Sequence, residues 1–208
     1  MENSSQTAIK KRGRPSHFDA NTALEQALIV FWTYGYEGTS MAELTEALGM
    51  NKPSIYAAFG NKQALFKKVL DKYTNEFTTF VAEAMREPTA AQAIHGFLSQ
   101  AAVFLTNPKT PHGCMIIQGA LTCSSDASAI KALLIDYRKN LERTLTLRFE
   151  QAKTQGDLPN DCNSQDLARY VLTLHQGMSV QATSGASLAE LTAVIDLAMS
   201  ASYLRSMR

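Results

Sequence analysis

Residues 39–62, "TSMAELTEALGMNKPSIYAAFGNK", decide the fold. They hold two short apolar-periodic segments, separated by Gly49 and closed by Gly60, each with a capping residue ahead of it. Thr39 or Ser40 caps the first, in which Met41, Leu44 and Leu48 face inward. Asn51 caps the second, and Pro53 falls in its first turn, where its missing N–H would have had no intrahelical partner. Helices this short have little stability of their own, so their neighbours must hold them. The stretch just before supplies the support. "ANTALEQALIVFWTYG", capped by Asp19, places Leu24, Ala27, Leu28 and Phe31 on one face and stops at Gly35. Leu44, Leu48, Ile55 and Phe59 pack the two short helices onto it, and Asn51, Lys52, Ser54, Tyr56 and Ala57 are left facing outward.

The remaining chain also reads as helix, giving an all-α protein. A fresh cap at Asn61 starts a long helix expected to run to about Arg86. After Pro88, residues 89–107 form a helix with Ile94, Phe97, Leu98, Ala101, Phe104 and Leu105 apolar, ended by the turn cluster "PKTPHG". "CMIIQGALTCSS" is apolar enough to be buried. A helix over 128–155 carries Leu133, Tyr137, Leu141, Leu145 and Phe149 in a stripe, and two more, at about 164–184 and 187–205, flank "SGAS".

Composition bounds the function. The 208 residues are 45% hydrophobic and 19% charged, with no apolar run long enough to span a membrane and no apolar leader behind the basic N-terminus. A cytoplasmic protein is expected. Cys114, Cys123 and Cys162 form no CxxC pair, which fits reduced thiols. The formal net charge is only +1, but Lys10, Lys11, Arg12 and Arg14 cluster on the N-terminal arm, where they could hold phosphates or simply be solvated.

Two short helices joined by a glycine turn, with an amide, an ammonium, a hydroxyl and a phenol on the outer face of the second, make a helix-turn-helix. Such groups read base edges or hold phosphates. "YGYEGTSMAELTEALGMNKPSIYAAFGNKQALF", residues 34–66, resembles the DNA-binding domain of TetR-type transcriptional regulators. The resemblance is specific over about residues 18–67 and beyond them extends only to length and helical layout. It implies a basic arm at 1–17, a three-helix DNA-binding domain at 18–65, and a helical effector-binding and dimerisation domain at 66–208.

It further implies that Thr39 and Ser40 hold a phosphate at the start of the second helix, that Tyr56 and Lys62 hold others, and that Asn51, Lys52, Pro53 and Ser54 lie nearest the base edges. Ala58 departs from the pattern, since many members carry a histidine there. "RGRP", Arg12 to Pro15, also resembles the core of an AT-hook, in which arginines such as Arg12 and Arg14 enter an A·T minor groove.

A single half-site gives little affinity, so a homodimer on a palindromic operator is expected, paired through the last two helices. Their small residues Gly177, Ser179, Ala182, Ala189, Ala193 and Ala198 permit close contact. The middle helices could enclose an effector pocket lined by Phe77, Phe80, Phe97, Phe104, Met115, Tyr137 and Met178, with Gln118, His95 and His175 as polar anchors, although such stripes also serve as plain core. His112 and Cys114 are too few for a zinc site, and Cys123, nine residues beyond Cys114, falls on the opposite face of a continuous helix. No P-loop, GxGxxG, HExxH or GxSxG occurs, so an enzyme, a metal site and a cofactor are not expected. A repressor released by a small molecule is the reading. Still open beside it are a DNA-binding structural or division-site regulator without effector, and a thiol- or metal-responsive regulator using Cys114.

Overall fold

The computed structural model describes residues 19–119 and 127–200. Arg12, Arg14 and Cys123, together with the side chain of Phe77, lie outside the described residues. Helix α1 spans Ala20–Gly38, α2 Met41–Leu48, α3 Lys52–Phe59, α4 Lys62–Phe77 and α5 Thr79–Ala84. Then come α6 Ala90–Leu105, α7 Met115–Gly119, α8 Ser128–Thr154, α9 Ser164–Thr183 and α10 Leu188–Ser200. Among the described residues there is no strand, and no helix is long and apolar enough to cross a membrane.

Local signals set the first four helices. Asp19, Ser40, Asn51 and Asn61 each accept a backbone N–H from the first turn that follows. Gly35 leaves helical geometry inside α1 at φ 71°, ψ 176°, and swings the chain into the turn that leads to α2. Between α2 and α3, Gly49 adopts the left-handed φ 60° and gives its N–H to the Glu46 carbonyl at 3.2 Å, which closes the tight turn.

The long helix expected from Asn61 to Arg86 is instead two helices, broken at Thr78. Thr78 sits at φ −117°, ψ 13°, and its hydroxyl donates to the Thr74 carbonyl at 2.7 Å. Side-chain bonding back to the preceding turn bends helices, and β-branched Thr74, Thr78 and Thr79 add their own cost.

One apolar cluster runs from Ala23 in α1 to Ile195 in α10. Helix α1 lies on α2, α4 and α7; α8 and α9 pack along each other; and α6 is held against α5, α9 and α10. Trp32 of α1 is the bolt between the two ends. It is fully buried, its indole N–H donates to the Gly113 carbonyl at 3.1 Å, and it meets Tyr73 edge-on at 4.9 Å and Phe104 at 5.5 Å.

Candidate nucleic-acid interface

Helix α3 is fixed by what it buries. Ile55 and Phe59 are in the core, each contributing roughly 1.5–3 kcal/mol of apolar burial, and they leave Lys52, Pro53, Ser54, Tyr56, Ala57 and Ala58 on the outer face. Asn51 is exposed, but its side-chain oxygen is already used, accepting the Ser54 N–H at 2.9 Å, so only its amide N–H₂ remains to meet a base. The Tyr56 hydroxyl makes no hydrogen bond among the described residues, and the Lys52 ammonium rests 5.8 Å from its ring centroid. A shallow groove beside α3 is closed on the far side by Thr22 and Gln26 of α1. Neither residue was singled out from the sequence, because on a surface helix both look like ordinary solvated positions.

Thr39 is corrected. Its side chain is wholly buried, and its hydroxyl donates to the Gly35 carbonyl at 2.7 Å, so it cannot reach a phosphate. The Gly35 swing turns it inward, and it serves as a tie across the turn. Ser40 stays exposed and forms a reciprocal cap with Glu43, whose carboxylate accepts the Ser40 N–H at 2.6 Å while Ser40 Oγ accepts the Glu43 N–H at 3.2 Å. The Ser40 N–H first, and its hydroxyl second, hold the Glu43 carboxyl below its usual range. Lys62 lies 4.5 Å from the Tyr36 ring centroid, where burial pulls its ammonium below the usual lysine range against the opposing pull of Glu37 and Glu43.

Behind the head lies a partly open cavity of about 260 Å³, with exposed Asn140 and Thr144 at its rim. Phe80, Phe97, Phe104, Tyr137 and His175 line it, as the sequence suggested, together with Tyr73, Cys114, Leu172 and Arg138. Met115 and Gln118 do not. Met115 is buried in the core, and the Gln118 amide turns away to donate to the His112 carbonyl at 3.2 Å. Met178 is likewise core, and His95 is exposed on an outer groove beside α10. Cys114 receives the Tyr73 hydroxyl at 3.2 Å, its backbone N–H donates to Ser179 Oγ at 2.9 Å, and burial pushes its thiol up, away from the reactive thiolate. Cys162 is also a free, buried thiol. No group of three or more potential metal ligands occurs among the described residues.

On the exposed side of α9 and α10, Tyr170, Val180, Leu188, Val194 and Leu197 are solvent-facing, Leu197 at 72%. Gly177, Ala189 and Ala193 lie open among them, whereas Ser179, Ala182 and Ala198 face the chain's own core.

Known proteins match this layout. The sequence profile described as bacterial regulatory proteins, tetR family, covers residues 23–69. The HTH-type transcriptional repressor ComR of Escherichia coli (strain K12) is 37% identical over 190 residues, 90% of each chain. The repressor BdcR of the same organism is 29% identical over 89% of this chain and 90% of its own. A cysteine mutant of the TetR family transcriptional regulator CifR, solved in complex with 26bp double-strand operator DNA, superposes with a TM-score of 0.86 at 34% identity, over 91% of this chain and all of that one. Sequence and fold agree along nearly the whole length, and the chain belongs to the tetR family of bacterial regulatory proteins.

Proposed function

We propose that this regulator is a cytoplasmic repressor that reads a palindromic operator as a homodimer and leaves it when a small molecule fills the cavity behind the head. The carrying observation is the outer face of α3, where Lys52, Ser54 and Tyr56 stand exposed on a helix whose inner face is locked by Ile55 and Phe59. Residues 18–65 would be the reading head and 66–208 the effector and dimerisation part, with Arg12 and Arg14 as an arm toward the minor groove. In this reading Ser40, Tyr56 and Lys62 meet phosphates, and Asn51, Lys52, Pro53 and Ser54 approach base edges. Relatives named as repressors, and one solved on operator DNA, support it.

The protein is a DNA-binding transcriptional regulator and not an enzyme. Pairing through α9 and α10 would cover Tyr170, Val180 and Leu197 with the same residues of a second copy and supply the second head that a palindrome needs. Release would travel through the cavity wall. Tyr73 and Phe104 line the cavity on one side and touch Trp32 of α1 on the other, so a ligand that shifts them biases the placing of the head.

Selection of random duplex DNA by the purified protein at stated salt, with sequencing of the retained pool, tests this. An enriched palindrome with half-sites about one helical turn apart is expected. Lys52→Ala should then relax preference at one position, at a cost of about 1–3 kcal/mol. No enrichment, with binding that only weakens as salt rises, would point to a structural DNA-binding role instead.

A further inference from the structure

We infer that the cavity behind the head takes a small organic anion, an apolar body bearing one carboxylate-type head, with Arg138 of α8 and His175 of α9 holding the head. This rests on the reading of the cavity as the effector site. At about 260 Å³ it is smaller than the pockets that take drug-sized ligands, and suits a body on the order of ten non-hydrogen atoms. Phe80, Phe97, Phe104 and Leu172 make most of its wall apolar.

The polar lining is mostly neutral, from Thr74, Thr78, Tyr137, Asn140, Thr144 and Gln176. Among the described residues no Asp or Glu lines the cavity, and Arg138 is the one fully charged side chain that does. Its Nε is buried without a hydrogen-bond partner. The acid one helical turn along, Glu142, is already engaged, accepting from Arg169 Nε at 3.2 Å and from the Gln165 amide at 3.4 Å. His175, 6% exposed, makes no hydrogen bond among the described residues and only stacks its ring 5.2 Å from Phe97.

A buried guanidinium donor left open is costly, and a guest that accepts from it relieves that cost while the imidazole can add a second bond. A carboxylate can accept from the Arg138 fork and from one imidazole N–H. A cation would meet Arg138 with no carboxylate in the lining, since Asp71 stands behind Tyr137 and accepts its hydroxyl at 3.2 Å, and a plain hydrocarbon would leave Arg138 Nε unpaired.

Titration calorimetry on the full chain tests this, with octanoate, 4-phenylbutyrate and benzoate, each against its primary amide, and with benzyltrimethylammonium as the cation. The expected result is that at least one carboxylate binds, its amide binds at least about tenfold more weakly, and the cation does not bind. Arg138→Met should bring the acid down to the level of its amide, while Arg138→Lys, which keeps the charge but not the fork, should recover part of the difference. Equal binding of acid and amide, binding of the cation in place of the acids, or no binding of any acid overturns the assignment. Operator release is scored separately. An acid that binds without releasing DNA upholds the ligand class and removes the release mechanism, whereas release by a neutral amide alone removes the class and upholds the mechanism.

Discussion

In the head, the polar side chains at the helix starts are bonded within a few residues of themselves: Asp19 to Asn21, Ser40 to Glu43, Asn51 to Ser54 and Asn61 to Ala64. In the cavity, the Nε of Arg138 on α8 is buried without a hydrogen-bond partner, and the buried His175 side chain on α9 makes no hydrogen bond among the described residues. The head uses its polar groups to build geometry, so the face it offers to DNA is set before DNA arrives. The cavity bonds Tyr73, Thr78 and Tyr137 within the protein but keeps Arg138 Nε in reserve, at a cost to stability that a guest can lift. Between them stands the Gly113–Cys114 turn, tied to α1 by Trp32, to α4 by Tyr73 and to α9 by Ser179.

The largest effect is expected at that turn, and Gly49 in the head is its control. Both glycines adopt positive φ, Gly113 at 82° and Gly49 at 60°. A Cβ on Gly113 would come within 2.2 Å of Gln118 Nε2 and 2.6 Å of Thr183 Cγ2, whereas one on Gly49 meets nothing within 4 Å. Gly113→Ala should therefore destabilise by about 3 kcal/mol and lower Tm by roughly 6–12 °C, against about 1 kcal/mol for Gly49→Ala. Thermal unfolding of the pair decides. Equal losses would mean that the turn can relax and does not clamp the two regions.

The next effect is on pH dependence. Burial lowers His175 to about 4 from the ordinary 6.5, so the folded chain holds it neutral where the unfolded chain would protonate it. The unfolded state then binds the extra proton between these values, and stability falls as pH drops from about 6.5 to 4. The contribution is on the order of 3 kcal/mol across that window. Denaturant unfolding of the wild type and His175→Leu at pH 7, 5.5 and 4.5 should show the gap between them shifting in favour of the variant as pH falls. A constant gap would mean that water or the Arg138 neighbourhood already accommodates the charge.

How far the sequence could be read follows the same division. The caps and the glycine turn were legible because each is a bond between residues a few positions apart. The burial of Thr39 was not, because it depends on the direction in which Gly35 throws the chain. The aromatic side of the cavity was visible as helical stripes holding Phe97, Phe104 and Tyr137. Arg138 was not visible, since "DYRKN" on a long helix looks like a solvated face until α9 is laid along it. Met115 and Gln118 were misplaced because α7 is five residues long, too short for a period to say which way its side chains point.

The smallest effects sharpen the division inside the head itself, by separating residues that build it from residues held out for DNA. Ser40→Ala removes one arm of the reciprocal cap and should cost about 1 kcal/mol of stability. Tyr56→Phe removes a hydroxyl that bonds nothing among the described residues on a side chain 41% exposed, and should leave stability within about 0.5 kcal/mol. On DNA the order should reverse in character. If that hydroxyl holds a phosphate, Tyr56→Phe weakens binding to operator and to unrelated duplex by a similar factor, roughly fivefold, because a phosphate contact carries no sequence information. Fluorescence anisotropy on both duplexes at one salt concentration measures it. A loss confined to the operator would move Tyr56 from the backbone to a base edge, and a loss of stability would make it part of the head's own framework.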